Sequence, residues 1–230
     1  MSRPVLYSFR RCPYAMRARM ALIIAGIEVE LREVVLRNKP PEMIAASPKA
    51  TVPVMITDTG ETLEESLDVM LWALQRHDPE GWLPDSDPDN RADIPDLLST
   101  LEARFKPRLD RYKYPTRFPG EQSGENRDAG LAYLIEHLAP RLARHANLQG
   151  EMRTLADIGA FPFVRQFANT DKDWWTTTAP KPLQDWLTRH VESDLFLKAM
   201  VKHAPWQSGT PGVVFPKPFE AVGNSAMIAG

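Results

Sequence analysis

The stretch Phe9-Arg10-Arg11-Cys12-Pro13-Tyr14-Ala15-Met16-Arg17 decides the fold of the N-terminal part of the chain. It follows a short apolar run, Pro4 to Phe9, which is typical of a buried strand, and it opens an apolar-periodic run, which is typical of a helix. Proline is favoured at the first helical position, because the N–H that it lacks would be unpaired there anyway. The stretch therefore predicts a helix that begins at Pro13, with Cys12 as its N-cap.

Cys12 is the only cysteine among the 230 residues. At an N-cap, its sulfur can accept from the free backbone N–H groups of Tyr14 or Ala15 and lies at the positive end of the helix dipole. Arg10 and Arg11 stand beside it in the sequence and add positive charge. These features favour the thiolate and predict a pKa of roughly 3.5–7.5, against about 8.5 for a free thiol. The alternative is a buried, unreactive thiol, the commoner fate of a lone cysteine.

The composition is that of an ordinary soluble protein, and the length suits two domains that share an interface. The net charge of −2 gives no indication of nucleic acid or of anionic membrane surfaces as partners. A single cysteine cannot form an internal disulfide, and the N-terminus lacks the apolar core of a signal peptide. The apolar run from Met20 to Ile27 is too short to span a bilayer. A reducing cytoplasm is the expected location.

The first helix is followed by a second strand pattern. Gly26 is a typical helix stop, and residues 28–36 then alternate between apolar and polar side chains, as a half-exposed strand does. A strand–helix–strand unit of this length predicts two parallel strands with a right-handed crossover. Cys12 would then lie at the carboxyl edge of the sheet, where sheets of this class bind ligands.

Residues 50–56 predict another strand, which contains Pro53. Because proline cannot donate to a strand ladder, it belongs at a strand end or edge, and the Val52–Pro53 bond is a candidate for the cis isomer. Val52 would then offer its N–H and C=O to an extended peptide. The alternative is a trans proline that merely starts the strand. The turn signal at residues 58–61 predicts a hairpin with a short strand at Thr62-Leu63.

Glu64, Glu65 and Ser66 open the next predicted helix. A carboxylate and a hydroxyl beside free helix N–H groups could hold a zwitterionic α-amino-carboxylate: the acid would bind its ammonium, and the donors its carboxylate. The alternative is that these acids only complement the helix dipole.

Together these residues resemble the glutathione transferase family, most closely its omega-like, cysteine-containing members. The resemblance covers roughly the first third of the chain closely. It is carried by four segments that stand in the family's order and at its spacing: Tyr7-Ser8-Phe9-Arg10-Arg11-Cys12-Pro13-Tyr14-Ala15, Lys39, Val52-Pro53-Val54 and Glu65-Ser66. Many members of the family use tyrosine or serine as the catalytic residue, so Tyr7 and Ser8 are alternatives to Cys12.

The resemblance implies a thioredoxin-like α/β domain at about residues 1–80, followed by an all-helical domain from about residue 90 to 230. It implies that Cys12 attacks glutathione disulfides and that Val52 binds the cysteinyl backbone of glutathione beside a cis Pro53. It further implies that Glu65 and Ser66 hold the γ-glutamyl end, while Lys39 faces the glycine carboxylate. Glutathione would be the cosubstrate, and a homodimer is the family's habit.

Beyond the first third, the patterns are helical. The Pro- and Asp-rich residues 78–89 predict a linker between domains, and Thr154 with Asp157 predicts an N-capping box that also resembles the family's helical domain. Residues 205–218 carry several Pro and Gly and predict an extended tail. Helical spacing is shared by three apolar sets: Leu97, Leu98, Leu101 and Phe105; Leu131, Leu134, Ile135, Leu138 and Leu142; and Leu183, Trp186, Leu187 and Val191.

The function that these patterns favour is a glutathione-dependent thiol transferase, in which the Cys12 thiolate forms and clears mixed disulfides. Its second substrate would be a small disulfide or a glutathionylated or electrophilic compound. Two alternatives are open: conjugation of glutathione to electrophiles, and a non-catalytic binding module with the same fold. The five histidines show no metal-ligand spacing, so no metal is expected.

Overall fold

The computed structural model describes residues 2–83 and 92–216. Its N-terminal part contains the predicted strand–helix–strand unit, the hairpin and the helix after it, with a short helix between the unit and the hairpin. The elements are β1 (Val5–Ser8), α1 (Pro13–Ile24), β2 (Val29–Glu33), α2 (Pro41–Ala46), β3 (Val54–Ile56), β4 (Thr62–Leu63) and α3 (Ser66–Arg76).

The strand pairing confirms the predicted strand–helix–strand unit and the hairpin. β1 and β2 are parallel, with Leu6 opposite Leu31. β3 runs antiparallel to β1, and β4 runs antiparallel to β3. Because α1 follows β1 directly, its N-cap residue, Cys12, lies at the carboxyl end of that strand, as predicted.

A fifth strand, β5 (Val213–Phe215), pairs antiparallel with β2, so that the strand order is β4-β3-β1-β2-β5. The predicted tail therefore contains a sheet strand that the Pro- and Gly-rich pattern did not indicate. Gly212 permits the close approach of the chain, because a Cβ there would lie 2.6 Å from the carbonyl oxygen of Leu31. Residues 217 and 218 of the predicted tail lie outside the described residues.

Helix α1 is buried on nearly every side. Met16 and Met20 are buried, and so are the side chains of Arg17 and Arg19. A buried guanidinium is tolerated only where hydrogen bonds and an opposite charge compensate for the lost hydration. These two arginines therefore have to find partners on the elements around α1.

The C-terminal part is helical, apart from β5. Its elements are α4 (Ile94–Thr100), a π-helical turn (Leu101–Phe105), α5 (Lys106–Lys113), a 3-10 turn (Pro115–Arg117), α6 (Ser123–His137), α7 (Ala139–Leu142), α8 (Leu155–Ala168), α9 (Lys172–Thr178), α10 (Lys181–Val191) and α11 (Asp194–Ala199). Most buried apolar residues of both parts form one core, to which α1, α3 and α8 contribute Met20, Met70 and Phe161. A smaller cluster, which includes Tyr7 and Val52, packs against Cys12.

The π-helical turn joins α4 to α5, with helical backbone angles on both sides. Pro107 explains it: a proline in an α-helix lacks an N–H and its ring clashes with the carbonyl four residues earlier. Widening the turn relieves this clash, and the N–H of Lys106 bonds to the carbonyl of Leu101, five residues earlier. Glu102 lies on this turn.

Residues 78–83, the described half of the predicted linker, are firmly anchored on the helical part. Trp82 is fully buried, and its carbonyl accepts from the N–H of Leu155 at 3.2 Å. Glu80 forms two hydrogen bonds with Arg153, at 2.6 and 2.7 Å. The rest of the predicted linker, residues 84–89, lies outside the described residues, so the domain boundaries stay a prediction.

The predicted capping box at the start of α8 is present, and its carboxylate also binds groups outside the box. Asp157 is fully buried, and one of its carboxylate oxygens accepts from the N–H of Thr154 at 2.9 Å. The other oxygen accepts from the N–H of Leu148 and from the indole of Trp186, both at 2.9 Å. One carboxylate therefore joins α8, α10 and the loop before α8.

We expect Asp157→Ala to lower the free energy of unfolding by about 3–5 kcal/mol, because it leaves several buried donors unpaired. Asp171→Ala is the matched control, since Asp171 is an exposed N-cap with a single bond, to the N–H of Trp174 at 3.0 Å. Loss of this N-cap bond should lower the free energy of unfolding by only about 1 kcal/mol. Urea unfolding of both variants measures the difference, and equal losses would contradict the role given to Asp157.

Candidate glutathione cleft

All of the residues predicted for the site line one cleft of about 690 Å³. The predicted members are Cys12, Lys39, Val52, Pro53, Glu65 and Ser66. The other residues that line the cleft are Tyr14, Leu36, Lys49, Ala50, Thr51, Glu64 and Glu102. The cleft lies between the start of α1, the segment before β3, the start of α3 and the π-helical turn. It is therefore built from both parts of the chain.

Cys12 is the N-cap of α1 and Pro13 its first residue, as predicted, and the backbone of Cys12 is extended (φ −77°, ψ 124°). The side chain makes no cap hydrogen bond of ordinary geometry, but the N–H groups of Tyr14 and Ala15 act on the sulfur as predicted and favour the thiolate. The thiol donates to the carbonyl oxygen of Val52, with Sγ 3.6 Å from that oxygen. A thiolate has no proton to donate, so this hydrogen bond stabilises the protonated form of Cys12.

Burial raises the pKa of the Cys12 thiol above its ordinary value, which corrects the predicted decrease. The amides of Ala15 and Tyr14 and the charges of Lys106 and Arg17 act in the opposite direction but do not outweigh the lost hydration. The helix amides favour the thiolate as predicted, but the desolvation that outweighs them depends on tertiary packing, in which Cys12 lies against a buried cluster that includes Tyr7, Val52 and Val54.

The arginines that precede Cys12 in the sequence do not act on it as predicted. The Arg10 guanidinium donates to the carbonyl of Met200 at 3.2 Å, and that of Arg11 lies over the ring of Phe9, 5.3 Å from its centre. Lys106 and Arg17 are the cations that favour the thiolate most.

The Val52–Pro53 peptide bond is cis, as considered from the sequence. Val52 is buried, and its carbonyl faces the sulfur of Cys12. The backbone that was predicted to hold an extended peptide thus lies next to the thiol, within the same cleft.

The start of α3 forms another wall of the cleft. Glu65 is the N-cap of α3, but its carboxylate makes no cap bond and pairs with Lys49 at 2.9 Å. Ser66 is buried, and its hydroxyl oxygen accepts from Nε of Arg17 at 2.8 Å. The Ser66 hydroxyl hydrogen is left to donate to a ligand. Lys39, two residues before α2, lines the same cleft.

Tyr14 and the Arg17–Glu102 pair are site features that the sequence analysis missed. Burial and then the charge of Glu102 raise the pKa of Tyr14 to about 12. Arg17 lies beneath the cleft, where it binds Ser66 and forms an ion pair with Glu102. The pairing of residues 85 positions apart had no signal in the local sequence.

Tyr7 and Ser8, the alternatives to Cys12, are both buried and hydrogen-bonded away from the cleft. The Tyr7 hydroxyl accepts from Arg32 at 2.6 Å, and its pKa is raised, mainly by burial. The Ser8 hydroxyl accepts from Nε of Arg19 at 2.8 Å. Neither hydroxyl is placed to act on a ligand beside Cys12.

A second, smaller cavity of about 290 Å³ adjoins the first on the side of the helical part. Cys12, Tyr14 and Leu36 line both cavities, so the sulfur lies where the two meet. Residues 2–83 and 92–216 contain no group of three or more His, Cys, Asp or Glu side chains that could hold a metal ion. In the same ranges, no helix is long and apolar enough to cross a bilayer.

Comparison with known proteins gives consistent results. A family model described as "Glutathione S-transferase, N-terminal domain" matches residues 6–81. Glutathione S-transferase U28 of Arabidopsis thaliana is 27% identical over 175 residues, covering 74% of this chain and 75% of that protein. Glutathione S-transferase omega-1 of Mus musculus is 32% identical over 87 residues, covering 38% of this chain and only 36% of that protein. The solved glutathione transferase Omega 3C from Trametes versicolor has a TM-score of 0.72 at 20% identity, covering 86% of this chain and 84% of that chain.

The sheet, the helical part and the cleft between them define a protein of the thioredoxin-like class with an added helical domain, and the whole has the glutathione transferase fold. The match over residues 6–81 and the curated relatives support the glutathione S-transferase family for this chain.

We expect the alkylation rate of Cys12 by iodoacetamide to rise with pH through a midpoint above that of a free thiol, because the thiolate is the reactive form and burial disfavours it. Lys106→Met should move the midpoint higher still, since the Lys106 charge favours the thiolate.

Lys172→Met is the control, because Lys172 is an exposed lysine on α9 that lines neither cavity. A wild-type midpoint well below that of a free thiol would show that the helix amides outweigh burial, as the sequence alone predicted.

Proposed function

We propose that the protein is a glutathione-dependent thiol transferase of the omega-like, cysteine-containing kind, with Cys12 as its nucleophile. The observation that carries the proposal is the common cleft: a lone thiol at a helix N-cap lies beside Val52, with Lys39, Glu65 and Ser66 on the surrounding walls. These groups complement a tripeptide that has a thiol in its centre and charged groups at both ends.

In the proposed complex, Glu65 binds the ammonium of the γ-glutamyl end, and the Ser66 hydroxyl and the free N–H groups of α3 bind its carboxylate. Lys39 binds the glycine carboxylate, and the backbone of Val52 binds the cysteinyl residue. The Glu65–Lys49 pair has both side chains more than half exposed, at 61% and 55%, so a ligand ammonium can replace Lys49 at little cost.

Ligand binding also provides a route to the reactive thiolate. In the free protein the carbonyl of Val52 accepts from the Cys12 thiol. The cysteinyl N–H of the ligand would compete for this carbonyl and so remove the bond that holds the thiol protonated. The amides of Ala15 and Tyr14 and the charge of Lys106 then stabilise the anion.

The reaction proceeds by two exchanges. The Cys12 thiolate attacks the glutathionyl sulfur of a mixed disulfide, which forms a bond to glutathione and releases the partner as a thiolate. Since the chain has no second cysteine, the resolving thiol comes from a second glutathione, whose attack regenerates Cys12 and gives oxidised glutathione. Such exchange suits a reducing compartment, so we propose that the protein acts in the cytoplasm, and that it is a homodimer, as is usual in the family that it resembles.

A second function is favoured by the hydrogen bond that the Cys12 thiol donates to the Val52 carbonyl, together with the burial that raises the pKa of this thiol. A thiol that stays protonated can donate a hydrogen bond to the thiolate of bound glutathione, which is the requirement for conjugating glutathione to an electrophile. A non-catalytic binding module would need neither a reactive thiolate nor a thiol that donates to bound glutathione.

Glu65→Ala should weaken glutathione binding about tenfold, because it removes the carboxylate that pairs with the ligand ammonium. Lys49→Ala is the matched control: it leaves Glu65 unpaired in the free protein, so affinity should stay the same or increase. Titration calorimetry measures both. An equal loss in both variants would mean that the pair matters only as a structural bridge between the two loops.

With oxidised glutathione and no reductant, Cys12 should form a stable one-to-one glutathionyl adduct, which reduced glutathione then removes. Intact-protein mass spectrometry follows both steps, with Cys12→Ser as the blank. A wild-type protein that forms no adduct but conjugates glutathione to an electrophile would favour the second function. If it does neither, the binding module is the better description.

A further inference from the structure

The second cavity beside Cys12 differs in charge and shape from the glutathione cleft. It lies between the loop before α1, α5 and the 3-10 turn, and it has no role in the proposed binding of glutathione. Its lining consists of Phe9, Arg11, Cys12, Pro13, Tyr14, Leu36, Lys106, Asp110, Tyr114, Arg117, Phe118 and Gln166.

The charges around this cavity are unbalanced. Three cations, Arg11, Lys106 and Arg117, face one carboxylate, that of Asp110, which forms an ion pair with Lys106. In the described parts of the chain, no carboxylate oxygen lies within 4.0 Å of the guanidinium of Arg11 or Arg117. These two groups rest on ring faces instead: Arg11 lies over Phe9 at 5.3 Å, and Arg117 lies over Tyr114 at 4.4 Å, measured to the ring centres.

The excess of positive charge extends to the groups behind the cavity. Burial and the charges of Arg165, Arg11 and Lys106 lower the pKa of Lys113, against the opposing effect of Asp110. The pKa of Arg165 is likewise lowered, by burial and by Arg10. Cations that repel one another next to a cavity are stabilised when an anion enters it.

The aromatic wall and the size of the cavity set a second requirement for its ligand. Rings form much of its wall, from Phe9, Tyr14, Tyr114 and Phe118. Planar aromatic groups pack well against such rings, in stacked or edge-to-face arrangements. At about 290 Å³ the cavity suits a single substituted ring, whereas an extended peptide chain would need more space.

We propose that this cavity binds the second substrate and selects a small aryl thiol that bears a carboxylate, presented as its mixed disulfide with glutathione. The inference rests on the proposed thiol-transferase function and names its substrate class. Arg11 and Arg117 bind the carboxylate, and the rings hold the aryl group.

The exchange at the junction of the two cavities is balanced. The Cys12 thiolate bonds to the glutathionyl sulfur while the sulfur–sulfur bond breaks, and the bonding pair leaves with the aryl thiolate. A second glutathione gives up its proton to solvent, attacks the enzyme disulfide and restores Cys12. Overall, one mixed disulfide and one reduced glutathione give one aryl thiol and one glutathione disulfide: the aryl sulfur is reduced, the sulfur of the incoming glutathione is oxidised, and the number of disulfide bonds is unchanged.

The test compares two coloured substrates that differ in one group. They are the glutathione mixed disulfides of 5-thio-2-nitrobenzoate, which carries a carboxylate, and of 4-nitrothiophenol, which does not. Each kcat/KM is divided by the rate constant of the uncatalysed reaction with glutathione, so that leaving-group chemistry cancels. The quantity compared is the ratio of these corrected kcat/KM values, acid over neutral substrate. For the wild type we expect a ratio of about ten, mainly through KM, and we expect it to fall as salt is added.

The double variant Arg11→Gln/Arg117→Gln should bring this ratio close to one. Both side chains are exposed, so the fold should be retained. Arg144→Gln is the control, because Arg144 is an exposed arginine of the helical part that lines neither cavity, and it should keep the wild-type ratio.

A wild-type ratio near one, or a ratio that the double variant leaves unchanged, would overturn the inference while leaving the thiol-transferase function intact. A clear preference for a glutathionylated, aspartate-rich peptide over the aryl acid would overturn it in favour of an acidic protein segment. No turnover of either aryl disulfide would overturn the thiol-transferase function, and the inference with it.

Discussion

The buried guanidinium of Arg17 is the interaction on which the rest of the structure depends. It bonds to the Ser66 hydroxyl on α3, to the carbonyl of Gly159 on α8 and to the carboxylate of Glu102 on the π-helical turn. One charge on α1 therefore joins the sheet-bearing part to the helical part directly beneath the cleft. Because the Arg17 guanidinium is buried, leaving it without these partners would be costly, and the bonds fix the position of the two walls of the cleft relative to each other.

Arg19 has the corresponding role on the other side of α1. It is fully buried, pairs with Glu33 at the end of β2 and donates to the carbonyl of Ala199 on α11 at 3.2 Å. The chain after α11 then returns along β2, with the Trp206 N–H bonded to the Glu33 carbonyl at 2.8 Å. The two arginines thus hold α1 rigidly, and with it the N-cap at which Cys12 stands.

This packing also sets the chemistry of the thiol. Cys12 packs against a buried cluster that includes Tyr7, Val52 and Val54, and the loss of hydration raises the pKa of its thiol, although Lys106 and the helix amides favour the anion. A thiol that is protonated when the cleft is empty, and whose acceptor lies on the backbone that the ligand is proposed to bind, couples its reactivity to ligand binding. The burial that keeps the Cys12 thiol protonated and the backbone that is proposed to bind the ligand therefore belong to the same site.

The sequence by itself determined the elements that local chemistry specifies: the N-cap position of Cys12, the parallel strands around α1, the hairpin and the capping box of Asp157. It also indicated the predicted residues that line the cleft, because their types, order and spacing can be recognised along the chain. Only the tertiary structure decided the partners of Arg17, the strand β5, the environment of the Cys12 thiol and the basic cavity beside it. These depend on which distant residues meet, such as Arg17 with Glu102, and on how deeply a polar group such as the Cys12 thiol is covered; apolar periodicity reports neither.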